Sequence, residues 1–121
     1  MIILVVDDTD DIRLMLKMRL ESKGHYVVEA ADGHQAIELA ISERPDVILM
    51  DLSMPVMDGI EAAKYLRQRS ATSNMPIIAV TAHCGDPAWH SRALAAGCVG
   101  CVGKPVDFKK LDQLINSVRG S

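Results

Sequence analysis

The sequence predicts an α/β domain, a doubly wound five-stranded parallel sheet with helices on both faces. Two observations carry this expectation. Apolar runs of strand length alternate with amphipathic segments of helix length from one end of the chain to the other. Five such pairs follow one another with no linker, repeat or low-complexity tract between them. Right-handed crossovers place a chain of this kind in a parallel sheet sandwiched between helices. At 121 residues the chain has the size of one domain, so a single domain over 1–121 is expected.

Ile2–Val6 is a continuous run of β-branched residues and Leu, the pattern of a strand covered on both faces. Thr9 or Asp10 is placed to cap a helix in which Ile12, Leu16 and Leu20 recur every four residues, and Gly24 stops it. Tyr26–Ala30 fits a second strand. Residues 35–42 fit a second helix with Ala36, Ile37 and Ala40 inward, ended by Pro45. Residues 47–50 read as the third strand, and Ile60, Ala63 and Leu66 mark the third helix. Pro76 precedes a fourth strand at 77–80. Asp86 followed by Pro87 reads as the cap and first turn of a helix ending at Gly97. Residues 98–102 form the expected fifth strand, and Phe108, Leu111, Ile115 and Val118 give a last amphipathic helix.

Composition narrows the function classes. Aromatic residues are 3% of the chain, so the core is built from Val, Ile, Leu, Met and Ala. A net charge of −3 supplies no electrostatic footprint for nucleic acid, and direct nucleic-acid binding is not expected. No apolar run approaches the roughly 20 residues of a membrane span. The apolar N-terminal stretch is short, lacks a preceding basic region and runs straight into Asp7 and Asp8, so a cytoplasmic protein is expected. Three cysteines without framework spacing read as reduced thiols. Cys98 and Cys101 match a C-x-x-C pattern. On a strand, however, positions three apart face opposite ways, which favours buried structural thiols over a redox or zinc pair. His83, Cys84 and His90 show no metal-ligand spacing. Trp89 reads either as amphipathic packing or as an anchor for a partner.

In open parallel sheets the ligand site lies beyond the carboxyl ends of the strands. Strand one ends in Asp7 and Asp8, strand three in Asp51 and strand four in Thr81, while Lys104-Pro105 follows strand five. Three carboxylates on one rim repel one another unless they are protonated or neutralised by a cation. Their hard oxygens suit Mg²⁺, which binds through one or two carboxylates, waters and phosphate oxygens. A hydroxyl and an ammonium on the same rim are groups that a phosphoryl oxygen can use. An aspartate is ionised at neutral pH and needs no general base to attack phosphorus. Asp51 is the best nucleophile candidate because it ends the central strand, and the loop Leu52-Ser53-Met54-Pro55 behind it offers carbonyls to a metal.

Val5-Val6-Asp7-Asp8, Met50-Asp51-Leu52-Ser53-Met54-Pro55 with Met57-Asp58-Gly59, Val80-Thr81-Ala82 and Lys104-Pro105 together resemble the four signatures of response-regulator receiver domains, in order and spacing. The resemblance covers essentially the whole chain. It implies a flavodoxin-like sheet of order 2-1-3-4-5 and phosphotransfer from a sensor histidine kinase or a histidine phosphotransfer protein. Asp51 would be the phosphoacceptor. Asp8, Asp51 and the Ser53 carbonyl would bind Mg²⁺ directly, with Asp7 acting through a water. Thr81 and Lys104 would contact the phosphoryl group, and the small Ala82 would leave it accessible. Ser53 and His83 occupy positions where relatives tune dephosphorylation.

One departure stands out. Family members carry an aromatic switch residue three positions before the lysine, where this chain has Cys101, with Gly100 and Gly103 beside it. The expected output is therefore movement of the loop 82–86 and the fourth helix, coupled to Thr81. The charge used by dimeric relatives around the fourth and fifth helices is sparse, so a monomer acting on a downstream protein is expected. The chain would catalyse only its own phosphorylation and dephosphorylation. Two rivals fit less well. A haloacid-dehalogenase-type phosphatase places its nucleophile after the first strand with a second Asp two residues on, where this chain has Ser53 after Asp51. A flavodoxin-like carrier needs a phosphate loop where Asp7-Asp8-Thr9-Asp10-Asp11 would repel the ligand.

Overall fold

The structure is a computed structural model and describes residues 1–52 and 59–119. Strands β1 (Ile2–Val6), β2 (Tyr26–Ala30), β3 (Val47–Asp51), β4 (Ile77–Thr81) and β5 (Gly100–Gly103) alternate with helices α1 (Asp10–Ser22), α2 (Gly33–Glu43), α3 (Gly59–Gln68), α4 (Pro87–Ala95) and α5 (Phe108–Arg119). Every strand pairing is parallel, and the order across the sheet is β2-β1-β3-β4-β5. The chain moves outward from β1 to β2, then crosses back to β3 and continues to β5. The order reverses between β1 and β3, where loops leave the sheet in opposite directions and open a crevice.

Alternation along each strand divides the core in two. Leu4, Ile48, Met50 and Ala79 pack against Ala36, Ala63, Leu66 and Ala93 of α2, α3 and α4. Ile3, Leu49, Ile78 and Val102 pack against Leu16, Leu20, Leu111 and Ile115 of α1 and α5. All five residues of β3 and of β4 are buried, which is why these strands read as unbroken apolar runs rather than alternating ones.

Local chemistry sets the ends of the elements. Gly24 and Gly97 take positive φ values of 88° and 96° behind α1 and α4, a conformation costly for residues with a Cβ. The second helix begins at Gly33, two residues before the expected start. Asp32 Oδ1 accepts from the Gln35 N–H at 2.8 Å, and Gln35 Oε1 accepts from the Ala31 N–H at 2.8 Å. This exchange satisfies donors the helix cannot pair internally. Asp86 caps α4 by accepting from the Ala88 N–H, with Pro87 in the first turn. Thr9 is the N-cap of α1 but makes no side-chain cap bond.

The fifth strand corrects the sequence reading. It starts at Gly100 rather than at Cys98, because the Cys98 N–H still donates to Ala93 O and closes the end of α4. The alternation argument for the two cysteines therefore does not hold. Cys98 and Cys101 are both buried in the cluster on the α2–α4 side of the sheet.

Candidate functional site

The reversal of strand order brings two distant aspartates together. Val6 pairs with Met50 across β1 and β3, so the residues that follow, Asp7 and Asp51, emerge side by side. Asp7 is 1% exposed and Asp51 4%, whereas Asp8 faces solvent. Each of the three offers a carboxylate oxygen within 4.8 Å of the others. Asp51 is the last residue of β3 and Thr81 the last of β4, one residue further into their strands than the apolar runs suggest.

Lys104 answers this charge from the other end of the sequence. Its backbone N–H donates to Thr81 O at 3.1 Å, which carries the β4–β5 pairing one step past the strand end. Its Nζ then donates to Asp7 Oδ2 at 3.0 Å and to Asp51 Oδ2 at 3.1 Å. Burial alone would lower the pKa of this ammonium. The hydrogen bonds to Asp7 and Asp51 and the charge of both carboxylates outweigh burial and hold it above the ordinary lysine value. Lys104 is thus a fixed cation at neutral pH.

Asp7 is held at both oxygens. Its Oδ1 accepts from the Thr9 N–H at 2.8 Å while Oδ2 takes Lys104. Arg13 Nη1 donates to the Asp7 carbonyl at 2.7 Å and its side chain also pairs with Asp10 and Glu29, bracing the β1–α1 turn. Nothing in the sequence pattern singled out Arg13, because the contact is made by the backbone carbonyl of a residue six positions away. Gly59, by contrast, belongs to a quoted motif, and the structure supplies its reason. A Cβ there would collide with the Asp51 carbonyl oxygen, and the Gly59 N–H donates to Leu52 O at 3.2 Å. Helix α3 can sit against the backbone of Asp51 only because position 59 has no side chain.

Thr81 is 1% exposed, and its Oγ1 accepts from the His83 N–H at 3.2 Å. Ala82 is exposed beside it. His83 is exposed, and its ring stacks on Trp89 of α4 with centroids 4.7 Å apart and planes 11° from parallel. Cys101 is buried beside Cys84, and burial together with that neighbour pushes its pKa up to about 12. Burial raises Cys98 to about 11 against the pull of Arg67. Both thiols stay protonated at neutral pH, unlike a redox pair. The Ser53 carbonyl, like Met54, Pro55, Met57 and Asp58, lies outside the described residues.

Three carboxylates against one ammonium leave surplus negative charge on hard oxygen donors, a set that fits Mg²⁺. Backed by a buried hydroxyl and a lysine, it can hold a phosphoryl group. The molecule is thus a doubly wound α/β domain with an acidic site at the carboxyl ends of its parallel strands. Residues 3–116 match the response regulator receiver domain family, and the chain belongs to that family of two-component signalling proteins.

Individual relatives agree. The chain is 38% identical over 118 residues to Protein PilH of Pseudomonas aeruginosa, with 96% of this chain and 95% of PilH covered. It is 39% identical over 116 residues to ycf27, a probable transcriptional regulator of Guillardia theta, covering 96% of this chain but 44% of that protein. The receiver domain of a sensor histidine kinase from Pseudomonas aeruginosa superposes with a TM-score of 0.90 at 33% identity. That match covers 99% of this chain and 98% of the other, whose structure has a magnesium ion coordinated in its active-site cleft. Among the described residues no helix is long and apolar enough to cross a membrane.

Proposed function

We propose that this receiver domain takes a phosphoryl group onto Asp51 in a Mg²⁺-dependent reaction and changes conformation in response. The observation that carries the reading is Lys104 Nζ set between Asp7 and Asp51, with Asp8 at the open side of the same cluster. Asp8, Asp51 and the Ser53 carbonyl would hold the metal. Asp7, engaged by Thr9 and Lys104, would reach it through a water. Bound Mg²⁺ supplies neutralisation of the carboxylates and of the charge on the transferring group.

The chain's own groups do the rest. An Asp51 carboxylate oxygen forms the new P–O bond while the bond from phosphorus to the donor histidine nitrogen breaks, and the released imidazole takes a proton from solvent. Lys104 exchanges its Asp51 contact for a phosphoryl oxygen, and the Thr81 hydroxyl donates to another. Ala82 leaves the approach open. Ser53 and His83 set how readily water reaches the acyl phosphate.

The donor would be a sensor histidine kinase or a histidine phosphotransfer protein. An apolar hollow lined by Ile12, Met15, Pro105, Val106 and Phe108 opens beside Lys104 and offers such a protein a surface to pack on. The domain would act as a monomeric cytoplasmic switch on a downstream protein, turning over nothing but its own phosphoryl group. The test is incubation with acetyl phosphate and Mg²⁺, read by intact mass. Wild type should gain one phosphoryl group and Asp51→Asn none; a label that persists on Asp51→Asn refutes the assignment.

A further inference from the structure

Position 101 holds a buried thiol beside Cys84, so no ring there can report on the site. A ring pair does stand one step away. His83 follows Thr81 by two residues, and its imidazole stacks on Trp89, while the Arg92 guanidinium also lies over the indole at 4.8 Å. We infer that the His83–Trp89 stack couples the phosphoryl site to α4, holding the loop after Thr81 in its resting position and coming apart when the Thr81 hydroxyl turns to the phosphoryl group. This inference rests on Asp51 as the phosphoacceptor.

The route from Thr81 to α4 is short, running through a hydrogen bond to His83 and the stack of His83 on Trp89. Thr81 Oγ1 is tied to the His83 N–H at 3.2 Å, the long end of the normal range, so displacement of the hydroxyl toward Asp51 breaks that bond first. The His83 backbone then loses its hold on the Thr81 hydroxyl, and the ring moves with it. Trp89 is half-buried against the core cluster, so it feels the loss on one side while remaining anchored on the other. Helix α4 is free to respond, since Ala93 is the one residue of Pro87–Ala95 that is buried. A stack present in only one of two states biases the equilibrium toward that state by its own interaction energy.

The test uses BeF₃⁻ with Mg²⁺ as the phosphoryl mimic, with affinity read by calorimetry and Trp89 emission read alongside. Wild type should bind in an Asp51-dependent manner with a saturable change in emission. His83→Ala and Trp89→Ala, which remove the resting-state stack, should each tighten BeF₃⁻ binding by roughly two- to tenfold, the range set by the energy of one aromatic pair. His83→Phe, which keeps a ring, should stay near wild type. The double alanine variant should gain no more than either single one, as expected for two partners of one contact. Wild-type BeF₃⁻ binding with flat emission, unchanged affinity in both single variants, or gains that add in the double variant overturns the inference and leaves the phosphoacceptor reading standing. Absence of any BeF₃⁻ binding to wild type overturns the two together.

Discussion

Replacing Lys104 by alanine removes both hydrogen bonds that neutralise Asp7 and Asp51. What remains is two carboxylates, 1% and 4% exposed, within 4.8 Å of each other and of Asp8. Breaking a buried ion pair and stranding its partner charge costs about 3–5 kcal/mol. The lysine side chain is 18% exposed and Asp8 opens the cluster to water, so solvent screens part of this and the lower end applies, about 3 kcal/mol. For a domain of this size that corresponds to a drop of about 10 °C in Tm. The assay is urea denaturation of both proteins in EDTA and in saturating MgCl₂. In EDTA the variant should be less stable by about 3 kcal/mol. In Mg²⁺ it should recover most of the loss, because a divalent cation supplies the missing neutralisation, while wild type should gain less, because Lys104 competes for the same oxygens. Equal stability in EDTA, or an equal Mg²⁺ gain in the two proteins, would refute the reasoning. The same variant should still accept some phosphoryl label but show a weaker amide-shift response to BeF₃⁻.

Two further outcomes follow from the packing. Gly59→Ala must push α3 off the Asp51 carbonyl and Leu52 Cα, so it should cost about 1–3 kcal/mol and weaken Mg²⁺ binding in a calorimetric titration; a variant matching wild type in both would show that the helix moves freely. On the alkaline side, Cys98 titrates near 11 in the fold, well above its unfolded value of about 8.5. The unfolded chain therefore releases that proton first: the stability is fully present below about pH 8.5 and is lost as pH rises toward 11. Cys101 and Lys104, also raised, act in the same direction. Urea midpoints measured from pH 7 to 10.5 should fall, and Cys98→Ala should flatten the decline; a slope unchanged in that variant would count against burial as the cause.

Much of this protein is legible in its sequence because much of it is local. A β-branched run such as Ile2–Val6, a four-residue recurrence such as Ile12, Leu16 and Leu20, and stops at Gly24, Pro45 and Gly97 state their own conformations. Parallel crossovers then oblige Asp7, Asp51, Thr81 and Lys104 to share a rim, since strands of one sense end on one side. Strand order came from the family resemblance rather than from any local pattern, and the sheet bears it out. Tertiary structure alone decided what touches what. It set Lys104 against two aspartates 97 and 53 residues away, and delayed β5 to Gly100 because the Cys98 N–H was still closing α4. It also buried Cys98 and Cys101 in one cluster, laid His83 on Trp89 and pressed Gly59 against the Asp51 carbonyl. Periodicity and capping are properties of neighbours along the chain, whereas these contacts depend on where separate elements come to rest in space.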